Sequence, residues 1–75
     1  MRKQPITGEV WKHFKGIVYR IICISKDTET LKENVVYMEE ERYKMGCWSD
    51  GEIWSRDMTM FMNKTDNGEW RFERC

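Results

Sequence analysis

The run Ile17-Val18-Tyr19-Arg20-Ile21-Ile22-Cys23-Ile24-Ser25 decides the fold class. Its β-branched and aromatic residues suit a pleated, half-buried surface. Strict alternation places Tyr19, Ile21 and Cys23 on one face and Val18, Ile22 and Ile24 on the other, and both faces are apolar. An apolar run of this kind reads as a central strand buried on both sides, or as one that bends across two sheets. A turn signal, Lys15-Gly16, precedes it, and two further breaks lie downstream. Asp50-Gly51 precedes Glu52-Ile53-Trp54-Ser55-Arg56, and Asp66-Asn67-Gly68 precedes Glu69-Trp70-Arg71-Phe72. Asp-Gly and Asn-Gly are the strongest short hairpin signals.

Working outward, Glu9 to Phe14 reads as a first strand, Asn34 to Glu39 as a third, Glu52 to Arg56 as a fourth and Trp70 to Glu73 as the last. Asp27 or Thr28 is positioned to cap the turn between the second and third strands. Glu40 to Asp50 reads as an extended hairpin tip, with Glu39-Glu40-Glu41 as a solvated run. A short helix over residues 38–45 is the competing reading. Asp57 stands at a helix N-cap, and Met58–Phe61 reads as one helical or 3-10 turn plugging a barrel end. The expectation is all-β: a small, partly open barrel or roll of about five short strands with one short helical turn.

Seventy-five residues make one domain. Residues 1–7 are expected to be a flexible lead and residues 8–75 the folded unit. A chain this short buries only about 60% of its unfolded surface, which favours a shallow groove over a deep pocket. The formal net charge is zero, but residues 1–26 carry six cations against Glu9, and residues 27–52 carry eight acids against Lys32, Arg42 and Lys44. The two halves are expected to pair across the sheet, while nucleic-acid binding through the basic third is the alternative function. Cys23, Cys47 and Cys75 form no C-x-x-C, which suggests neither a disulfide framework nor zinc. Cys23 is expected in the core. With no apolar leader or membrane-length run, the expected setting is the cytoplasm, as a monomer or weak homodimer.

No P-loop, G-x-G-x-x-G or metal-spaced cluster occurs, so no cofactor and no metal are expected. His13 is the only histidine and has no local nucleophile or orienting acid. Arg56, beside Trp54, suits a carboxylate or phosphate, or an ion pair with Glu29. Met58, Met60 and Met62 are expected to fill the core.

In order along the chain, His13-Phe14-Lys15-Gly16, Tyr19, Glu29-Thr30, Val35-Val36-Tyr37, Trp54-Ser55-Arg56, Met60-Phe61 and Arg71-Phe72 resemble a bacterial and phage family, domain of unknown function 1653. The resemblance covers residues 9–73. It implies an SH3-type β-barrel and no assigned activity. Two departures stand out: Asp57 replaces the usual proline, and the stretch from Met38 to Asp50 is longer than usual, so that it is either a contact loop or a longer hairpin.

These readings converge on a non-enzymatic binding module for a protein or peptide, with no membrane partner. Its candidate groove is His13, Lys15, Tyr19, Trp54 and Arg56. Trp54 is expected to be mostly buried, surrounded by Tyr19, Ile21, Val36 and Phe61. An enzyme built on His13, Glu29 and Arg56 is the remote third possibility.

Overall fold

A computed structural model of the chain describes residues 2–46, 48 and 51–75. Five strands form one antiparallel sheet: β1 (Val10–His13), β2 (Val18–Lys26), β3 (Glu33–Glu39), β4 (Trp54–Asp57) and β5 (Phe72–Arg74). Their order is β4-β3-β2-β1-β5. Two short helices complete the molecule, α1 (Glu40–Met45) between β3 and β4, and α2 (Met58–Met62) directly after β4. The fold is the expected small all-β roll, with one helix more than expected.

The Lys15-Gly16 turn closes β1 onto β2: Gly16 takes a φ of 101°, and the His13 amide donates to the Ile17 carbonyl at 2.8 Å. That backbone angle is costly for any residue with a Cβ. The β2–β3 turn is fastened by Asp27, whose Oδ1 accepts from the Glu29 and Thr30 amides at 2.9 and 3.0 Å. At the third break, the Thr65 amide donates to the Glu69 carbonyl. Of the second break, Asp50 lies outside the described residues.

β2 departs from strict alternation. Ile21 pairs with Tyr37 and Cys23 with Val36, so Ile22 forms a bulge. A bulge inserts an extra residue and bends its strand. Ile24 therefore joins Tyr19 and Ile21 on the inner face and packs against the core. Cys23 turns outward with Val36 and is half-buried rather than a core residue. A bending strand was one of the two readings of this run, and the bulge is how it bends.

The concave face holds Trp11, Ile21, Val35, Tyr37, Met58, Phe61 and Phe72. Phe61 stacks on Phe72 at 4.0 Å and meets Trp11 edge-on at 5.4 Å, so α2 plugs one end of the roll. Asp57 caps this helix as expected, with its Oδ1 accepting from Thr59 at 2.9 Å and Met60 at 3.4 Å. Of the three nearby methionines, Met58 is buried and Met62 half-buried, while Met60 is exposed. Trp70, expected to share a buried strand face with Phe72, instead lies on the surface in an isolated bridge with Lys64.

The outer face is covered by α1, the competing reading of residues 38–45. The helix ends at Gly46, in left-handed geometry at a φ of 73°. Glu40, expected in a solvated run, is only 7% exposed and takes three hydrogen bonds from the Arg20 guanidinium. Met38 is fully buried on this side, in register with Arg20. A cation from the basic third thus pairs with an acid from the middle third, as the charge pattern suggested. Cys47, Ser49 and Asp50 lie outside the described residues.

Residues 1–7, expected as a flexible lead, contact the closed end. Arg2 donates to the carbonyls of Met62 (2.9 Å) and Phe72, and its guanidinium lies 4.0 Å from the Trp70 ring centre. Pro5 is buried.

Candidate functional site

Beside the Phe61 plug the roll has an open mouth, the seam where β4 and β5, the two edges of the sheet, do not pair. Inner-face side chains from all five strands meet there. His13 (β1) lies 4.9 Å from Phe72 (β5) and 6.4 Å from Tyr19 (β2), between ring centres. Tyr19 meets Tyr37 (β3) edge-on at 5.1 Å. Arg56 (β4) places its guanidinium carbon 6.0 Å from the Phe72 ring, and its Nε donates to the Tyr37 hydroxyl at 3.5 Å. Period-two alternation explains the convergence: Val35 pairs with Arg56 and Tyr37 with Trp54, so Arg56 and Trp54 share the face of the core strands.

The electrostatics of this mouth are uneven. Burial and then the nearby charges of Arg56, Lys15 and Arg71 hold the His13 imidazole below its ordinary pKa, favouring the neutral ring. Burial, together with Glu39 and Tyr37, raises the Tyr19 hydroxyl, and Arg56 opposes that shift. Glu39 is in register with Tyr19, so the α1 end of the mouth is acidic and the Arg56 end cationic. Arg71 donates to Asn63 at 3.0 Å. Among the described residues, Arg56, Lys15 and Arg71 have no carboxylate partner; the ion pairs are Arg20–Glu40, Arg42–Glu52 and Arg74–Glu9.

Of the expected groove, His13, Tyr19 and Arg56 come together, and Lys15 flanks them through its amide, which donates to His13 Nδ1 at 3.2 Å. Trp54 is the correction. It sits on the right face beside Arg56 but is 52% exposed, and Ile53 is exposed as well. Tyr19, Ile21, Val36 and Phe61 do not enclose it: Val36 faces outward, and no strand lies beyond β4. The Glu29–Arg56 pair does not form among the described residues. Glu29 is exposed in the β2–β3 turn, so it does not join His13 and Arg56. Tyr37 and Phe72, both buried in the core, are the further rings that His13, Tyr19 and Arg56 meet, and the sequence reading did not single them out. Tyr37 alternates with Val35 and stands opposite Trp54, which was the available signal.

The basic third is partly engaged elsewhere, with Arg20 on Glu40 and Arg2 on backbone carbonyls. Among the described residues, no group of three or more His, Cys, Asp or Glu side chains is placed to hold a metal. No helix among them is long and apolar enough to cross a membrane.

The family model for the protein of unknown function DUF1653 matches residues 9–74, and the chain belongs to that family. No curated protein and no solved structure matches it. Most of the stretches that carried the resemblance converge in space, since His13, Lys15, Tyr19, Tyr37, Arg56, Arg71 and Phe72 line or flank the mouth, whereas Glu29-Thr30 lies apart in the β2–β3 turn. The Asp57 departure also has a physical account. Its φ of −52° lies within the range a proline ring imposes, so the backbone suits either residue, and the aspartate adds a side-chain cap. The longer Met38–Asp50 stretch contributes α1 and an exposed Trp48 stacked on Tyr43 at 5.5 Å.

Proposed function

We propose that this protein is a non-enzymatic binding module on an SH3-type barrel, and that its contact surface is the open mouth between β4 and β5. The observation that carries the reading is the convergence of His13, Tyr19, Tyr37, Phe72 and Arg56 from five strands where the two sheet edges do not pair. The half-buried His13 and Tyr19 rings, backed by the buried Tyr37 and Phe72, supply contact area, and the Arg56 guanidinium, which meets no carboxylate among the described residues, supplies direction and charge. Small barrels present such shallow aromatic surfaces to protein or peptide partners. The free thiols of Cys23 and Cys75 fit a reducing, cytoplasmic setting in a bacterial or phage-infected cell.

The test is a fragment screen on isotope-labelled protein, read as amide chemical-shift changes. Hits should cluster on His13, Tyr19 and Arg56. Hits concentrated instead in the hollow lined by Lys12, Glu69 and Arg74 would assign binding to the wrong surface.

A further inference from the structure

The mouth combines three features that specify an occupant. The first is a free strand edge: β4 pairs with β3 on one side, and among the described residues no strand lies on the other. The second is an exposed ring, Trp54, two residues from Arg56 on the same face. The third is charge without a counterpart, since Arg56 spends Nε on the Tyr37 hydroxyl and its two terminal nitrogens meet no carboxylate among the described residues. Lys15 and Arg71 add positive charge to the same end of the mouth. A cleft lined by one sign of charge draws the opposite sign. A planar guanidinium with two free nitrogens suits a carboxylate held side-on.

We infer, building on the binding-module reading, that the β4 edge receives an extended polypeptide segment in which an apolar and an acidic residue are separated by one position. Paired along β4, such a segment turns alternate side chains to the mouth. The apolar residue then lies across from Trp54 and the carboxylate across from Arg56. Glu39, in register with Tyr19 at the α1 end, repels a carboxylate and so places the acid at the Arg56 end. The added strand bridges β4 towards β5 and completes the roll. Adjacent apolar and acidic residues cannot do this, because they point to opposite faces.

Four probes test the inference by chemical-shift titration of the full chain: a capped Thr-Val-Thr-Glu-Thr-Thr peptide, the same peptide with Gln for Glu, a reordered Thr-Thr-Val-Glu-Thr-Thr, and inorganic phosphate. The first should shift the Ser55 and Arg56 amides and bind roughly tenfold more tightly than the second and third, the scale of one charge-assisted hydrogen bond. Arg56→Gln, checked for an unchanged spectrum away from the mouth, should erase that preference. Arg56→Lys should recover only part of it, because an ammonium cannot hold a carboxylate bidentately. Equal binding of the three peptides overturns the inference, as do shifts confined to another surface or no shift at millimolar peptide. Phosphate binding as tightly as the first peptide overturns the polypeptide occupant. If fragments still cluster at the mouth in any of these cases, the binding-module reading stands and only the acidic segment is lost.

Discussion

Two tryptophans on the same face of one sheet have opposite fates. Trp11 is 1% exposed on an inner strand under α2, and Trp54 is 52% exposed on an edge strand. Trp11 sits on β1, with β2 on one side and β5 on the other, and α2 brings Phe61 against it. The Arg74 guanidinium covers the ring at 4.8 Å, and Glu9 accepts from its indole nitrogen at 3.1 Å. Trp54 has β3 on one side and, among the described residues, no strand on the other. Alternation decides which face a side chain takes. A neighbour on each side, and a lid, decide whether that face excludes water.

The comparison is most easily broken by truncating both rings. Trp11→Ala should cost roughly 3–5 kcal/mol, the range for a fully packed aromatic, and leave a domain of this size barely folded. Trp54→Ala should fall within about 0.5 kcal/mol of wild type, as exposed positions do. Urea denaturation of the two variants measures both. A Trp54→Ala loss approaching that of Trp11→Ala would mean that the mouth is closed in solution.

The outer face offers a second covered region, held by charge rather than rings. Arg20 donates three guanidinium hydrogen bonds to Glu40 and a fourth to the Gly8 carbonyl, and Tyr43 lies 4.7 Å from the guanidinium. Arg20→Met should cost about 1–3 kcal/mol because it strands a buried carboxylate. Glu40→Gln should cost less, since Arg20 keeps its bond to the Gly8 carbonyl and its access to water. Equal losses in the thermal melts of the two variants would mean that the cost lies in packing rather than in the unpaired acid.

A smaller effect concerns the plug itself. Asp57→Ala removes the side chain that accepts from Thr59 and Met60 and should cost about 1 kcal/mol. Asp57→Asn, which keeps an acceptor, should recover most of it. Hydrogen exchange at the Met60 and Phe61 amides reads this directly, and it should quicken more in the alanine variant than at the β2–β3 ladder.

Much of this architecture was legible because local chemistry dictates it. Gly16, Asp27 and Asp57 each act through atoms within three residues, and each does what its residue type suggested. Charge pairing of the basic and acidic thirds was also visible, although not its geometry: Glu40 looked solvated among three consecutive acids, and only the Arg20–Met38 register shows what covers it. The bulge at Ile22 was not legible, because an apolar run hides an inserted residue, and so Cys23 was placed on the wrong face. Trp54 failed for a different reason. Its face was correct, but strand order determined its exposure, and strand order is a property of the whole sheet. The site divides in the same way. His13, Tyr19 and Arg56 stood out as rings and charges, whereas Tyr37 and Phe72 looked like ordinary core.

The smallest expected effect tests the electrostatics of the mouth. Burial, then Arg56, Lys15 and Arg71, hold His13 below its ordinary pKa of 6.5. The unfolded chain therefore binds a proton more readily than the folded one between those two values. The folded state keeps its full stability above about pH 6.5, loses some as the pH falls through the lowered pKa, and then levels off. His13→Gln should lack this loss, so the stability difference, wild type minus variant, should decline from pH 7.5 towards pH 5 and flatten. Glu9, held below its ordinary value of 4.5 chiefly by its hydrogen bond from Arg74, adds an acid-side loss at lower pH that is common to both proteins and cancels. Parallel stability curves would place His13 in open water, away from Phe72 and Tyr19. Salt then separates the two causes. At 1 M ionic strength the screening length falls to about 3 Å, which removes most of the repulsion from the three cations and little of the burial term. Because burial is the largest single cause, part of the pH dependence should survive the added salt. If it vanishes, the cations alone depress His13, and the mouth is wetter than its ring contacts imply.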